Sequence, residues 1–273
     1  MKIKDYLVSN KVFSIVYNSE LDMYHTSPVP DNLDKYYESE EYISHTDRKK
    51  TFIEKIYHIV RDFSFYSKEK KIAKLTNKKT TILDIGAGTA DFLVYLKSKG
   101  WDTLAFEPNQ SASDIGKNKQ IEYIEQLDKV PDNWAEVITM WHVLEHIEDL
   151  DNQIKELKRI CKPDGYIVIA VPNFKSFDAQ YYKQFWAAYD VPRHLHHFSK
   201  TSIELIFRKH QILLKQIKPM YFDSFYVSIL SEKYKTGKNN LFKAFCIGLY
   251  SNIYGMFKKE YSSHIYILKN DKK

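Results

Sequence analysis

The chain has 273 residues, of which 44% are hydrophobic and 28% charged, with eight glycines and two cysteines. That length suits one large domain or two unequal ones, and the composition excludes a wholly disordered or collagen-like chain. Cys161 and Cys246 are too few for a disulfide framework or a four-cysteine zinc site. The opening MKIKDYLVSN lacks the apolar core of a secretory signal, and the longest apolar stretch, near 244–250, is too short to span a bilayer. A reduced, soluble, cytoplasmic protein is expected. The net charge of +6 is unevenly spread: residues 80–172 carry −7 and residues 173–273 carry +10, which suggests two kinds of ligand. Only five of the 41 basic residues are arginine, so nothing resembles an arginine-rich nucleic-acid arm, and nucleic acid is not favoured as a partner.

The first 79 residues contain no glycine and read mostly as helices, a cap or lid ending near 77–80. Phe52, Ile56, Ile59, Val60 and Phe63 recur at helical spacing before Lys68–Lys71 turns polar. From residue 80 the texture changes to strand and helix in alternation. Strands are predicted at 80–85, 103–106, 121–124, 137–143 and 166–171, with helices at 92–97 and 154–160. Lys162-Pro163-Asp164-Gly165 reads as a turn before the fifth strand. A long aromatic connection (173–199), a helix (201–210) and a strand (213–217) follow. Residues 222–261 read as a helical insertion before a last strand at 264–268. Near-continuous apolar strands between helices imply a doubly wound, Rossmann-like α/β sheet over 80–273, covered on both faces.

Asp84-Ile85-Gly86-Ala87-Gly88-Thr89-Ala90-Asp91 joins the first of these strands to its helix. Glycines at 86 and 88 permit a tight turn and close approach of a ligand to the backbone, and Glu107, nineteen residues after Gly88, is spaced to grip a ribose diol. A nicotinamide dinucleotide would put pyrophosphate against Asp84 and Asp91, with no nearby Lys or Arg and an acid where its fingerprint wants Gly or Ala. S-adenosylmethionine has a net positive charge and no phosphate. It suits the acidic segment better.

Four ordered segments carry a family resemblance: LDIGAGTADF (83–92), AFEP (105–108), VITMWHVLEHIEDL (137–150) and KPDGYIVIAVPN (162–173). Residues 80–172 resemble the class I S-adenosylmethionine-dependent methyltransferases, particularly the branch around the ubiquinone-pathway O-methyltransferases. The flanks YYESEEYISH (36–45) and FWAAYDVPRHLHHFS (185–199) resemble a bacterial subset of that family. The resemblance implies Asp84, Gly86, Ala87 and Gly88 around the methionine end of the cofactor and Glu107, between Phe106 and Pro108, on the ribose. It implies Gln126 and Leu127 at the adenine, and Met140, Trp141 and His142 along the methyl side. Ala90 departs from the family by replacing a third glycine.

Two histidine clusters are candidates for handling an acceptor. His142, Glu145 and His146 would share one face of a helix and could hold a divalent ion, as the resemblance to RNA 2′-O-methyltransferases with an ExxEH motif suggests. The first Glu of that motif is His142 here, and no metal is assigned. In the second cluster, Arg193-His194-Leu195-His196-His197, Arg193 could orient an anionic acceptor and His194 could act as base, and His146 of the first cluster is a further catalytic candidate. Tyr36, Tyr37 and His45 could form a lid. The Tyr- and Phe-rich stripe of 222–261 reads as buried core, with a membrane surface or an apolar acceptor as the alternative. The expected activity is methyl transfer to a small-molecule acceptor, anionic or apolar, with oxygen favoured. The rivals are a metal-assisted RNA 2′-O-methyltransferase and a non-catalytic cofactor-binding protein.

Overall fold

The computed structural model describes residues 1–37, 52–76 and 78–271, with the side chains of 52–60 excepted. The amino-terminal segment departs from expectation. Instead of helices it forms three antiparallel strands, β1 (Lys2–Lys4), β2 (Val12–Asn18) and β3 (Met23–Ser27). The physical reason is a period of two that polar residues disguise: Ile3, Phe13, Ile15 and Met23 point inward between exposed or half-exposed neighbours. Helix α1 (Phe52–Thr76) follows and packs Ile72 against the central sheet.

From Thr81 the alternation is as read from the pattern. It runs β4 (Thr81–Ile85), α2 (Asp91–Ser98), β5 (Asp102–Phe106), α3 (Gln110–Asn118), β6 (Glu122–Ile124), β7 (Ala135–Trp141), α4 (Leu150–Ile160) and β8 (Cys161–Pro172). Strand β8 starts earlier than expected. The Lys162–Gly165 turn lies within it as a bulge, with Asp164 at φ 63° and the register against β7 jumping from Ala135↔Cys161 to Val137↔Tyr166. After the short helix α5 (Phe177–Tyr182) come β9 (His196–His197), α6 (Lys200–Arg208) and β10 (Ile212–Pro219). Two helices, α7 (Asp223–Thr236) and α8 (Leu241–Lys258), occupy the expected insertion before β11 (Ser263–Asn270).

The central sheet has the order β10-β11-β8-β7-β4-β5-β6, with β11 antiparallel between β8 and β10 and the strands from β8 to β6 parallel. Side chains alternate across it. Leu83, Ile138, Ile167 and Ile169 face α4 and α6, while Ile82, Val137, Val168 and Ala170 face α1 and α2. Each buried Leu or Ile is worth about 1.5–3 kcal/mol of transfer free energy, so burying both faces fixes the register. A second sheet, β1-β2-β3-β9, packs Ile3, Phe13 and Ile15 on Trp186, Tyr182 and Tyr189. Its closing pairs, Tyr24↔His197 and His25↔His196, tie the amino terminus to the segment that carries the second histidine cluster.

Candidate active site

Strands β4, β5, β6 and β7 all end at one edge of the sheet, and the sequence motifs converge there because each directly follows a strand. The Gly86 and Ala87 amides donate to the Phe106 carbonyl at 2.8 and 3.1 Å, fixing the glycine loop to the end of β5. Gly86 and Gly88 both have positive φ, 72° and 53°, but they serve different ends. A Cβ on Gly86 would lie 2.3 Å from Val143 Cγ2, so that glycine lets the β7 loop pack close. A Cβ on Gly88 would meet nothing within 4 Å among the described residues, so that glycine leaves an open cradle over bare backbone. Glu107 borders the cradle, accepting from the Gly88 and Asn109 amides at 2.9 Å each. Tyr123 closes its other side by donating to the Gly88 carbonyl at 2.7 Å. Ala90 also has a left-handed backbone, φ 58°, at the N-cap of α2, which is why glycine would be at home there.

Asp84 is buried and accepts from Thr139 Oγ1. Burial pushes its carboxyl up to about 7, against the Thr139 hydrogen bond and the charge of Lys68. Lys68, from α1, lies 3.9 Å from the centroid of the Trp141 ring, and burial lowers its ammonium to about 8 although Asp84 and Asp223 pull it upward. The Trp141 indole N–H is itself buried with no acceptor among the described residues. Asp91 is paired with Lys119 at 2.7 Å, with Arg61 4.0 Å away. The acids of the glycine loop therefore do have cations close by, and the charge argument against a dinucleotide fails on this geometry. Gln126 and Leu127 follow β6 at the same edge, with Gln126 exposed and Leu127 heading a 3-10 turn. Phe106 and exposed Pro108 flank Glu107, and Met140 is buried in the core next to the end of β7.

The histidines sort differently from the sequence expectation. His142, at φ 57°, sits between two carboxylates, Nδ1 to Glu145 at 3.3 Å and Nε2 to Asp223 at 3.0 Å. Burial alone would lower its pKa, but the hydrogen bonds and charges of Asp223 and Glu145 outweigh it and raise the imidazole to about 10. With both nitrogens engaged, His142 is not in the cluster able to hold a metal. That cluster is Glu145, His146 and His194, each offering an atom within 4.8 Å of the others. His146 Nδ1 lies 3.0 Å from the Arg193 carbonyl, and His194 Nδ1 lies 2.9 Å from the Ala188 carbonyl. A carbonyl requires a donor, so the proton of each ring is assigned to Nδ1 and the lone pair to Nε2. Glu145 Oε2 is buried without a hydrogen-bond partner among the described residues. Burial, with repulsion between a proton on His146 and one on His194, lowers His146 to about 4, so it is neutral at pH 7. The three side chains lie close enough together to take up a proton or a divalent cation.

Arg193 is not where an anionic acceptor could reach it. It is 1% exposed and its guanidinium is spent on Asp190, on Asp5 at 3.7 Å and on the Tyr36 carbonyl at 3.2 Å. It positions the strap that carries His194. Thr26 of β3 holds the same strap, donating from Oγ1 to the His194 carbonyl at 2.6 Å and from its amide to Leu195 at 2.9 Å. Of the expected lid, Tyr37 Oη lies 3.0 Å from His146 Nδ1 and Tyr36 is buried; His45 falls outside the described residues. Sequence reasoning missed Lys68, Tyr123, Thr139 and Asp223. Lys68 stood in what looked like a solvated Lys run, and Asp223 is about eighty residues from His142. A cleft of about 370 Å³ lined by Lys97, Trp101, Asp102, Gln120 and Glu122 opens at the amino ends of β5 and β6, the opposite edge from this chemistry.

The strand order, the glycine loop and the acid closing β5 define a class I S-adenosylmethionine-dependent methyltransferase. A family profile described as "Methyltransferase domain" matches residues 54–212, more than half of the chain, and the chain belongs to that family. The fold is shared with a candidate sarcosine dimethylglycine methyltransferase from Galdieria sulphuraria, at 15% identity and TM-score 0.53 over 78% of this chain and 86% of that one. A SAM-dependent methyltransferase from Archaeoglobus fulgidus matches at 17% identity and TM-score 0.51, over 77% and 94% of the two chains. Geranyl diphosphate C-methyltransferase from Streptomyces coelicolor A3(2), solved with Mg²⁺, geranyl-S-thiolodiphosphate and S-adenosyl-L-homocysteine, matches at 11% identity and TM-score 0.54, over 75% and 76%. A search of curated proteins finds no match. The cofactor is S-adenosylmethionine. The open cradle at Gly88, with Glu107 beside it, the Trp141 N–H without an acceptor among the described residues and the Lys68 ammonium over the Trp141 ring, fits a ligand carrying both a ribose and a carboxylate.

Proposed function

We propose that the enzyme methylates a hydroxyl of a small-molecule acceptor. The observation that carries this reading is the convergence of Glu145, His146 and His194, each offering an atom able to accept a proton within 4.8 Å of the others. Bound S-adenosylmethionine supplies an electrophilic methyl group on a sulfonium. Glu107 would hold the ribose hydroxyls, exchanging its present bonds to the Gly88 and Asn109 amides for the diol. Lys68 and the Trp141 N–H would take the carboxylate, Asp84 the ammonium, and the segment after β6, with Gln126 and Leu127, the adenine. His194 would remove the hydroxyl proton as oxygen attacks, with Glu145 stabilising the imidazolium so formed. Positioning residues lie behind it: Arg193 and Asp190 fix the strap, and the Ala188 carbonyl sets the tautomer.

The motif resemblance to the ubiquinone-pathway branch supports oxygen as the receiving atom. The +10 charge of residues 173–273 supports an acceptor with anionic character. The test is radiolabelled methyl transfer to hydroxyl- and amine-bearing acceptor panels by wild type and His194→Gln. Turnover should fall by about 10²–10⁴ in the variant, with S-adenosylhomocysteine affinity unchanged. Equal turnover of the two proteins would overturn the assignment of the base. The unpartnered Glu145 oxygen favours one second reading, a divalent ion on Glu145, His146 and His194 that activates the acceptor, including an RNA 2′-hydroxyl. Loss of turnover with EDTA and recovery with Mn²⁺ or Mg²⁺ would select it.

A further inference from the structure

Helix α8 is built inside out. The residues it turns inward are small, Ala244, Gly248, Ser251 and Gly255, each buried. A Cβ on Gly248 would meet Phe225 at 2.9 Å, and one on Gly255 would meet Tyr261 at 2.5 Å, so this face is made for close docking. Ser251 completes the attachment by donating to buried Asp178 at 2.6 Å. The outward face holds the large apolar side chains: Phe242, Phe245, Leu249, Ile253, Met256 and Phe257, with Phe242 80% and Phe257 79% exposed. A helix of a water-soluble domain has these stripes the other way round. Two turns of scattered exposure need no explanation, but an apolar stripe along five turns does.

The apolar surface continues toward the active site. Asn252 of α8 donates to the Tyr221 carbonyl at 2.9 Å, and exposed Tyr221 and Phe222 lead directly into Asp223, the partner of His142. The Phe222 ring lies 6.1 Å from that of exposed Phe63 on α1. Charge decides what covers this surface. Residues 241–258 contain no acid, and exposed Lys238 precedes the amino end of the helix while exposed Lys258 and Lys259 close its carboxyl end. A second copy packed about a twofold axis would bring lysine-bearing ends together. An anionic bilayer takes both features at once, with aromatic rings in the interface and lysines at the phosphates. No helix among the described residues is long and apolar enough to cross a membrane, so α8 would lie in the plane of the surface.

We propose that α8, with the lip formed by Phe63, Tyr221 and Phe222, docks the enzyme on an anionic lipid surface, and that the acceptor hydroxyl belongs to an amphiphile presented there. The second half rests on the O-methylation reading above. Cys246 gives a direct probe, being exposed on α8 while the other cysteine, Cys161, is buried. The intact protein, labelled at Cys246 with an environment-sensitive fluorophore, is titrated with phosphatidylcholine vesicles with and without 30% phosphatidylglycerol, and flotation of unlabelled protein runs in parallel. Expected are a blue shift and flotation on the anionic vesicles, at least tenfold weaker on neutral ones. Phe242→Ser/Phe257→Ser should weaken binding at least tenfold while leaving S-adenosylhomocysteine affinity intact. Lys258→Gln/Lys259→Gln should reduce the preference for anionic lipid. A label spectrum unchanged by vesicles, with all protein remaining at the bottom of the gradient, overturns the proposal. So does a vesicle-insensitive dimer that Phe242→Ser/Phe257→Ser dissociates, which would assign the face to a second copy. Calorimetry with S-adenosylhomocysteine on the same samples separates a failed docking proposal from a failed cofactor site.

Discussion

The two glycines of the cofactor loop should respond to alanine in opposite ways. Both backbones are left-handed, and an alanine there costs roughly 1–2 kcal/mol of strain, offset by up to about 1 kcal/mol because alanine restricts the unfolded chain. For Gly88→Ala nothing further is added, since no described atom lies within 4 Å of the new methyl. The expected loss of stability is about 1 kcal/mol. For Gly86→Ala the methyl arrives 2.3 Å from Val143 Cγ2 and 3.3 Å from Cγ1, and Val143 packs against the core. Overpacking adds about 1–3 kcal/mol, for a total near 2–4 kcal/mol. Binding should rank the other way for its cause: Gly88→Ala fills the cradle and should weaken S-adenosylhomocysteine at least tenfold in a protein that is still folded. Urea titrations and calorimetry on both variants give the two numbers. Val143→Ala in the Gly86→Ala background should recover about 1 kcal/mol or more as a coupling energy. Undiminished cofactor affinity in Gly88→Ala, or equal stability losses at the two positions, would refute the reasoning.

Ala90→Gly relieves left-handed strain but deletes a buried methyl worth about 0.8 kcal/mol and loosens the unfolded chain, so stability should stay within about 1 kcal/mol of wild type in a thermal melt. Arg193→Met breaks a buried ion pair, and the expected loss is about 3–5 kcal/mol in urea, with activity following stability and acceptor KM little changed. His142 is raised above its unfolded pKa of about 6.5, so its contribution is complete below pH 6.5 and disappears as pH rises toward 10. The difference in stability between wild type and Asp223→Asn should therefore be largest at pH 6 and shrink by pH 10. Because the His142 side chain is 36% exposed, solvent screening holds that difference to about 1 kcal/mol or less. A difference that grows with pH would contradict this.

The parts of the molecule legible in sequence are those decided locally. Strands β4, β5, β7 and β8 are near-continuous apolar runs closed by turn residues, and each motif follows its strand by a fixed number of residues, so fold and cofactor loop could be read together. The amino-terminal sheet was not legible because its inward residues, Ile3, Phe13, Ile15 and Met23, are separated by Lys, Ser and Asn. Its closing strand, His196–His197, lies about 170 residues away. The acid-base cluster was half legible. His146 and His194 stand out by residue type, but the exchange of His142 for His194 depends on Asp223 at the head of α7, which a helical reading of 142–146 could not supply. Lys68 looked like one solvated lysine among many, and only the tertiary position of α1 puts it over Trp141. The α8 stripe was read correctly as helical and wrongly as core, because periodicity shows that a helix has two faces but not which one is turned to the protein.

The most direct test of the account is calorimetric titration of S-adenosylmethionine and S-adenosylhomocysteine into wild type and Glu107→Ala, with NAD as control. Expected are micromolar binding of both methionine-derived ligands, a loss of tenfold or more in Glu107→Ala as charge-assisted bonds to the ribose disappear, and no binding of NAD. Preference for NAD, or affinity indifferent to Glu107, would contradict the assignment of the glycine loop and Glu107 as the cofactor site.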